Sequence, residues 1–369
     1  MTDPDIFGLP RSQVQSVLAA ACRQTITDYT VRFGKKQSSE GICGEYLLPT
    51  FRARTQSAGT VEVPMFIRRQ LRKSVGNRQA HHYEFLASRG VPVPSIYGSL
   101  IDGEEREIIF LELLDEVHGS DAQLLAQPDY VQKYLCLAAS LSAAKSTIDY
   151  IGQLGHDLTK RDFVMNWADW LPWSVHILGR IEHRALSGDL GDNLKDYCTR
   201  NSAKLAHLRR IAVALMAAVR ALPLGLVHGD LRPGNTGWRR QDRQLVLFDF
   251  EDIMIDARFY DVAQVLGGPR PLRPGTKSNM DLAELFLDTY AGLSGERVDM
   301  RTFLDEIQIA WAARKVNLWE YLPPEVGGPS YDHRAFVGEE ERRRDLLQMN
   351  LSLLVESAAA LSGILDCVA

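Results

Sequence analysis

The sequence predicts a bilobal α+β chain, in which a small and mostly antiparallel β part with one main helix precedes a larger and mostly helical part. Strand-type patterns concentrate before residue 114, and helix-type patterns dominate after it. A length of 369 residues is also more than one ordinary core requires. We therefore predict two domains, residues 1–114 and residues 115–369.

The first part opens with three strand patterns separated by small and polar residues, namely residues 29–36, 46–54 and 61–69. A helix is predicted over residues 77–90, because Gly90 in front of the extended sequence VPVP is a typical helix stop. A hairpin over residues 95–114 follows, with Asp-Gly at its turn. The predicted order is three strands, one helix and two strands.

The second part is mostly helical, with apolar residues at helical spacing over residues 129–154 and 205–222. One short β interruption is predicted, formed by residues 226–238 and 244–253 around the polar turn RRQDR. Residues 114–118 are the predicted hinge between the two parts. A crevice between two lobes is a favoured small-molecule site.

Composition excludes several classes of protein. The net charge of −5 and the low isoelectric point argue against a nucleic-acid partner. The five cysteines are odd in number and contain no C-x-x-C pair, which argues against a disulfide framework or a zinc site. The N-terminus lacks a signal-peptide pattern, and Arg220 interrupts the most apolar run. We predict a cytoplasmic protein with no membrane span.

Two segments of the β interruption, HGDLRPGN and FDFED, carry the residues that phosphoryl transfer requires. The reaction needs an oriented nucleophile and metal ions held against the phosphates. Asp230 is a carboxylate for the acceptor hydroxyl. Asn235, five residues later, and Asp249, on the following strand, offer oxygen ligands for magnesium. Their spacing predicts a phosphotransfer site.

These segments resemble the aminoglycoside phosphotransferase and choline kinase family, whose members phosphorylate small molecules and share a protein-kinase-like fold. The resemblance implies that Asp230 is the catalytic base and that Asn235 and Asp249 bind Mg²⁺. It implies ATP as the phosphate donor, with GTP not excluded. His228 would be a scaffold residue. Asp261 would tie the following helix to the catalytic loop, and a simple helix N-cap is the alternative.

The segments also differ from the protein-kinase pattern. Gly229 stands where protein kinases have Arg, and Glu251 stands in place of the Gly of D-F-G. Only twelve positions separate Asp249 from Asp261, and no A-P-E follows. This leaves little room for an activation segment, which favours a small acceptor over a protein substrate.

The third strand pattern, MFIR, corresponds to the kinase strand whose Lys reaches the nucleotide phosphates. Alternation places Met65 and Ile67 on one face and Phe66 and Arg68 on the other, so that Arg68 takes the Lys position. Arginine differs from lysine in reach and geometry. Weakened nucleotide binding and a shift of the role to Arg69 are both left open.

The remaining nucleotide contacts follow from the resemblance. Glu84 would pair with Arg68, and its alternative is a solvated helix residue. Ser39, Gly41 and Gly44 lie where kinases place a loop over the phosphates, although an ordinary hairpin turn has the same composition. Glu112 to Leu114 would present backbone groups to adenine.

The acceptor site is less well defined by the sequence. Three tryptophans, spaced by three residues, indicate either helix packing or an aromatic wall for a cation or a sugar: Trp167, Trp170 and Trp173. Acidic residues after the metal loop favour a cationic alcohol, or form a solvated face: Glu251, Asp252, Asp256, Asp281 and Glu284. A later segment would line the acceptor pocket: Trp311, Asn317, Trp319 and Glu320.

The function predicted is that of an ATP- and Mg²⁺-dependent phosphotransferase acting on a hydroxyl of a small molecule, such as an aminoglycoside or another amino sugar. The alternative is a catalytically weak nucleotide-binding pseudokinase or scaffold protein, which Arg68 favours. Retention of Asp230, Asn235 and Asp249 argues against that alternative. A protein kinase is disfavoured by the short metal loop.

Overall fold

The structure is a computed structural model. It describes residues 6–33, 39–40, 44–57, 59–71, 78–102, 106–144, 167–267, 279–316, 318, 321–322 and 340–368. The chain forms two compact units, one of residues 1–163 and 230–253 and the other of residues 164–229 and 254–369. The predicted boundary at residue 114 lies within the first unit, and a division there stays a prediction.

Strands concentrate in the first third of the chain, and helices dominate the remainder of its described part. The strands are β1 Ile26–Phe33, β2 Ser39–Glu40, β3 Gly44–Leu47, β4 Pro49–Thr55, β5 Gly59–Leu71, β6 Ile96–Asp102, β7 Arg106–Glu112, β8 Asp115–Glu116, β9 Leu224–Val227, β10 Thr236–Trp238, β11 Leu245–Leu247 and β12 Met254–Ala257. The helices are α1 Arg11–Cys22, α2 Gln79–Ser88, α3 Asp121–Leu124, α4 Pro128–Ser142, α5 Trp167–Ser187, α6 Asp192–Arg200, α7 Ser202–Ala221, α8 Tyr260–Leu266, α9 Asn279–Ser294, α10 Met300–Val316 and α11 Glu340–Val368. The α+β class is confirmed.

An antiparallel sheet of β1 to β7 forms the centre of the first unit. Strand β5 is the longest, and it pairs with β3 and β4 along one edge and with β7 along the other. Strand β7 is buried along almost its whole length, and it pairs with β5 on one edge and β6 on the other. The predicted order of three strands, one helix and two strands is confirmed, with the short β2 and β3 in addition.

The two helices of this sheet cover opposite faces. Met65 and Ile67 lie in the core under α1, where Val14, Val17 and Leu18 also pack. Helix α2 contacts β6 and β7, and its buried residues lie outside the core under α1. Helix α1 was not predicted from the sequence, although its three buried residues have helical spacing and Pro10 precedes its first turn.

The first unit also holds α3, α4 and the hairpin of β10 and β11, which pairs with β8. Helix α4 confirms residues 129–142 of the helix predicted over residues 129–154. Residues 143–144 follow the end of α4, and residues 145–154 lie outside the described part of the chain. Helix α4 contacts β11. The hairpin therefore has packed partners on both sides.

The second unit consists of helices α5 to α11 with the antiparallel pair of β9 and β12. Helix α7 confirms the predicted helix over residues 205–222 and packs against α5, α10 and α11. By length and composition alone, residues 341–365 of α11 could cross a membrane. One such helix is weak evidence for a span, because core helices pass the same test of length and composition. The absence of a membrane span stays a prediction.

Candidate active site

The hairpin of β10 and β11 brings two predicted metal ligands to neighbouring strands. Thr236 pairs with Leu247, and the Phe248 N–H donates to the Asn235 carbonyl over 3.1 Å. Asn235 and Asp249 consequently lie at the same end of one hydrogen-bonded ladder. A pair of residues fourteen positions apart in the sequence is thus held by local β structure.

Asp230 and Asn235 contact each other directly. The Asn235 amide donates from Nδ2 to the Asp230 carbonyl over 2.8 Å and to its Oδ2 over 3.0 Å. Asn235 is buried, whereas 41% of the Asp230 side chain is exposed. The buried amide therefore fixes a carboxylate that solvent and small molecules can reach.

Two tyrosines of α4 support the loop that carries these residues. Tyr134 donates its hydroxyl hydrogen to the Leu231 carbonyl over 3.0 Å. The hydroxyls of Tyr130 and Thr236 lie 2.8 Å apart, and burial raises the pKa of Tyr130 to about 12. A neutral tyrosine hydroxyl is thus retained at physiological pH. Neither tyrosine could be identified from the sequence, because their contacts join residues about a hundred positions apart.

A further cation of the loop, Arg232, was also missed. Its Nε donates to Asp230 Oδ2 over 3.1 Å. On the far side of the same turn, Asp121 Oδ1 accepts from the Gly234 N–H over 3.1 Å. Arg232 follows Asp230 by only two residues, and this short spacing could have predicted the contact from the sequence.

Asp249 has a left-handed backbone, with φ of 67°. Its N–H donates to the Tyr83 hydroxyl over 3.1 Å, and its Oδ1 accepts from Arg68 in an ion pair. The ring of Tyr83 packs edge-on against Phe250, with centroids 5.0 Å apart. Two side chains from separate elements therefore hold the predicted metal ligand and the residue that follows it.

The structure distinguishes Arg68 from its neighbour. Arg68 reaches Asp249, whereas Arg69 forms ion pairs with Glu45 and Asp102. The alternation predicted for this strand is therefore confirmed, and the open shift of the role to Arg69 is not supported by its contacts.

The expected pairing of Glu84 with Arg68 needs correction. Glu84 is exposed, and among the ion pairs of the described residues Arg68 is matched with Asp249. Helix α2 turns His82, Tyr83 and Phe85 inward, so that the intervening Glu84 faces solvent. The alternative of a solvated helix residue is the one observed.

The predicted phosphate loop is only partly described. Ser39 and Gly44 lie on β2 and β3, where Ser39 pairs with Tyr46 and Gly44 pairs with Gln70. Gly41 and the side chain of Ser39 lie outside the described part of the chain. The backbone of a hairpin is present, and its phosphate role stays a prediction.

The predicted adenine contacts lie at the end of β7. The N–H of Glu112 donates to the Ser95 carbonyl over 2.9 Å, and its carboxylate accepts from the Ser95 N–H and from Arg239 Nε. That N–H cannot serve an adenine ring while it is so engaged. Leu114 lies against Gly237, where an added Cβ would come within 2.7 Å of Leu114 Cδ1.

In the second unit, Asp261 secures the residues that precede Asp230. Its two carboxylate oxygens accept from the N–H groups of His228, over 2.6 Å, and Gly229, over 3.1 Å. The N-cap of α8 is Phe259 instead, so the tie predicted for Asp261 is confirmed over the helix-cap alternative. Burial raises the pKa of Asp261, while His228 and the two N–H groups oppose that effect.

Most residues predicted for acceptor recognition lie outside the described part of the chain. These are Asn317, Trp319, Glu320 and the side chains of Trp167, Trp170, Trp173 and Glu251. Asp281 and Glu284 are exposed, whereas Asp256 and Trp311 are buried. The buried position of Asp256 removes it from the proposed acidic surface.

Comparison with known proteins decides the family. A family model described as the phosphotransferase enzyme family matches residues 49–295, which is more than half of the chain. The chain belongs to the phosphotransferase enzyme family. The resemblance drawn from HGDLRPGN and FDFED is confirmed. Members of this family are phosphotransferases.

Several solved structures resemble the chain at low identity. Plasmodium vivax ethanolamine kinase is 17% identical, with 86% of this chain and 82% of that chain covered and a TM-score of 0.49. A mutant aminoglycoside 2′-phosphotransferase-IIIa in complex with GDP is 16% identical, with 96% and 99% covered and a TM-score of 0.46. The choline/ethanolamine kinase family protein from Mesorhizobium loti is 14% identical, with 94% and 98% covered and a TM-score of 0.46. No curated protein sequence matches the chain significantly. The family assignment therefore rests on the match to the family model and not on these structures.

Proposed function

We propose that the chain transfers the terminal phosphoryl group of ATP, with GTP as the alternative donor, to a hydroxyl of a small molecule in the presence of Mg²⁺. One observation carries this proposal. A single loop and hairpin hold Asp230 against Asn235 and place Asp249 at the same end of the ladder. These are the residue types that phosphoryl transfer needs for nucleophile and metal.

The residues present fit Mg²⁺. The Asn235 amide uses its Nδ2 on Asp230, which turns its Oδ1 away from that contact, and 29% of the Asp249 side chain is exposed. The described residues contain no cluster of three or more His, Cys, Asp or Glu that could hold a metal. Magnesium fits such a site because it takes one or two protein oxygens and completes its shell with phosphates and water. When bound, it would neutralise phosphate charge.

Asp230 is proposed as the base. Its Oδ2 accepts from both Asn235 and Arg232, so Oδ1 is the oxygen that would accept a hydrogen bond from the acceptor hydroxyl and then its proton. Because the carboxylate is fixed by the two donors, it loses little freedom when the acceptor binds.

Two arginines would supply positive charge. Arg68 is proposed to move from Asp249 to a nucleotide phosphate, because its planar fork can hold both kinds of anion. Arg232 lies beside the base and would stabilise the charge that develops during transfer. Ser39, Gly41 and Gly44 are retained as proposed phosphate contacts. The backbone of Glu112 to Leu114, apart from the Glu112 N–H that is bound to Ser95, is retained for the base of the nucleotide. Glu84 is left out of the proposed site.

The acceptor is proposed to be a cationic alcohol such as an amino sugar. Its support is the acidic composition that follows Asp249, which includes the exposed Asp281 and Glu284. A cytoplasmic location is proposed because the cysteines are odd in number and widely spaced, which suits a reducing compartment.

The test measures the release of ADP from ATP, and of GDP from GTP, in the presence of Mg²⁺. The acceptors are a panel of aminoglycosides, choline, ethanolamine and amino-sugar alcohols. One acceptor should stimulate release, and Asp230→Asn should lower that rate about 100-fold or more while keeping the shape of the side chain. Asp242→Asn, at the exposed turn of the same hairpin, is the matched control and should retain the rate. Equal rates in wild type and Asp230→Asn would contradict the proposal.

A catalytically weak nucleotide-binding protein is the second candidate. The observation that favours it is Arg68, which replaces the usual Lys and pairs with the proposed metal ligand. This hypothesis predicts Mg²⁺-dependent stabilisation by ATP without turnover of any acceptor. Gain of turnover in Arg68→Lys would support it further.

A further inference from the structure

The backbone of Asp249 needs support from its surroundings. Its φ of 67° lies in the left-handed region, which is uncommon for residues other than glycine. Such conformations cost free energy and persist when neighbouring groups hold them. A neighbouring group must therefore hold the main chain at this residue.

Tyr83 contacts this segment twice. Its hydroxyl accepts a hydrogen bond from the Asp249 N–H over 3.1 Å, and its ring meets the ring of Phe250 edge-on, at 5.0 Å and 81°. Tyr83 is only 2% exposed and Phe250 is fully buried. Hydrogen bond and ring contact therefore fix two consecutive residues from one side chain.

Helix α2, which carries Tyr83, is itself anchored. The buried carboxylate of Glu107 accepts from the N–H of Gln79, the first residue of α2, over 2.8 Å. Its other oxygen accepts from Arg78 Nε over 3.3 Å. Gln79 and Tyr83 are four residues apart and lie on the same face of the helix. The anchor at the start of α2 thus sets the position of the tyrosine.

We infer that Tyr83 is a positioning residue for the metal-binding loop, and this inference rests on the proposed role of Asp249 as a magnesium ligand. Tyr83 acts through the main chain of Asp249 and touches no reacting atom. Tyr83 thus links α2 to the proposed metal-binding loop, whereas the link predicted from the sequence was a pairing of Glu84 with Arg68. The carboxylate of Asp249 is thereby held ready for the cation.

The test removes only the hydroxyl. Tyr83→Phe keeps the ring against Phe250 and deletes the acceptor of the Asp249 N–H. Tyr29→Phe is the matched control, because Tyr29 is a buried tyrosine of the same unit that packs edge-on against Phe51 at 5.8 Å and 68°. Phe250→Leu is a second variant that loosens the same contact from the loop side.

The first readout is amide hydrogen exchange of residues 245–253 in the protein without nucleotide, with urea stability measured in parallel. Tyr83→Phe should accelerate exchange in this segment about 5- to 10-fold because it deletes one hydrogen bond. Phe250→Leu should also accelerate it, because it weakens the ring contact. Tyr29→Phe should leave it unchanged. Equal acceleration by Tyr29→Phe, or none by Tyr83→Phe, would overturn the inference.

The second readout is the Mg²⁺ concentration that half-saturates the thermal stabilisation by ATP. It should rise about 5-fold in Tyr83→Phe and stay the same in Tyr29→Phe. If wild type shows no Mg²⁺-dependent stabilisation, the magnesium role and this inference both fail. If wild type is stabilised but turns over no acceptor, only the proposed phosphotransfer fails, and exchange and titration still decide the role of Tyr83.

Discussion

Arg68 and Arg69 are adjacent arginines with different partners. Alternation along β5 sends Arg68 to the face of α2, where it pairs with Asp249, and sends Arg69 to Glu45 and Asp102. A guanidinium can exchange a carboxylate for a phosphate without losing its two-pronged geometry. The arginine at position 68 is therefore compatible with phosphate binding.

Replacement of each arginine by alanine should separate the two residues. Arg68→Ala is expected to raise the KM for ATP about 10-fold or more, because a hydrogen bond to a charged group contributes about 1.5–3 kcal/mol. Arg69→Ala should change it much less, since that side chain is engaged with Glu45 and Asp102. Steady-state kinetics with varied ATP is the measurement. A larger effect of Arg69→Ala would contradict the assignment.

The position of a single side chain could be predicted from the sequence where one short-range rule decided it. Arg68 followed from the period-two alternation of a strand. Glu84 was misjudged because the phase of a helix depends on which of its side chains find partners, and α2 buries the neighbouring Tyr83. The tyrosine could not be identified from the sequence, because its partner Asp249 is 166 residues away.

The hairpin of β10 and β11 is the element that assembles the proposed site, and Gly237 lies at its centre. A Cβ at this position would come within 2.7 Å of Leu114 Cδ1 and 3.0 Å of Leu114 Cβ. A larger residue at this position would force the Leu114 side chain to shift, so the close approach of the hairpin to Leu114 favours glycine. The contact links the proposed metal ligands to the segment proposed to bind the nucleotide base.

Gly237→Ala should lower the free energy of unfolding by about 1–3 kcal/mol through overpacking. Leu114→Ala removes Cδ1, the atom at 2.7 Å, and keeps only the Cβ at 3.0 Å, so the double variant should be more stable than the sum of the two single effects predicts. Urea unfolding of the four proteins provides the double-mutant cycle. Strict additivity would mean that the glycine serves another purpose.

Helix α2 gives a pH prediction through its anchor. Burial raises the pKa of Glu107, although the Gln79 N–H and Arg78 oppose it. The folded state therefore binds more protons than the unfolded state between the unfolded pKa, roughly 4.3, and the higher folded value. Relative to Glu107→Gln, wild type should lose stability as pH rises through this window and show a constant difference above it.

Urea unfolding of both proteins from pH 4 to pH 8 measures this dependence. A wild type that gains stability over Glu107→Gln with rising pH would show that the hydrogen bonds outweigh burial. The sign therefore reports which physical effect dominates at the start of α2.

Elements were predicted from the sequence wherever periodicity was strong. The strands and helix of residues 26–112 and helices α4 and α7 follow from it. The pairing of strands was harder to predict from the sequence. For example, β9 pairs with β12, and the whole hairpin of β10 and β11 lies between them in the chain. Helix α1 was missed because it buries only three residues and no side chain caps its start, so its helical signal is weak.

At the scale of the whole molecule, the chain alternates between its two compact units. It leaves the second unit after Gly229, contributes residues 230–253 to the first, and then returns. The predicted domain boundary at residue 114 followed from the change from strand-type to helix-type patterns along the sequence. The two units are instead defined by contacts between residues that are distant in the sequence. Periodicity and composition along a short stretch of sequence do not show that the chain leaves a unit and later rejoins it.

The residues proposed as base and metal ligands lie in the segment of residues 230–253. Asp261 binds the N–H groups of His228 and Gly229 in the second unit, immediately before the chain enters the first. Asp230, Asn235 and Asp249 all lie in the first unit. One contiguous segment of 24 residues therefore carries the base and both metal ligands of the proposal.

The most direct test of the account is equilibrium binding of ATP with and without Mg²⁺ to wild type, Asp230→Asn and Asp249→Asn. If Asp230 is the base and Asp249 a metal ligand, Asp230→Asn should bind Mg²⁺-ATP within about threefold of wild type. Asp249→Asn should bind it about 10-fold or more weakly. Equal losses in both variants, or no loss in Asp249→Asn, would contradict this division of roles.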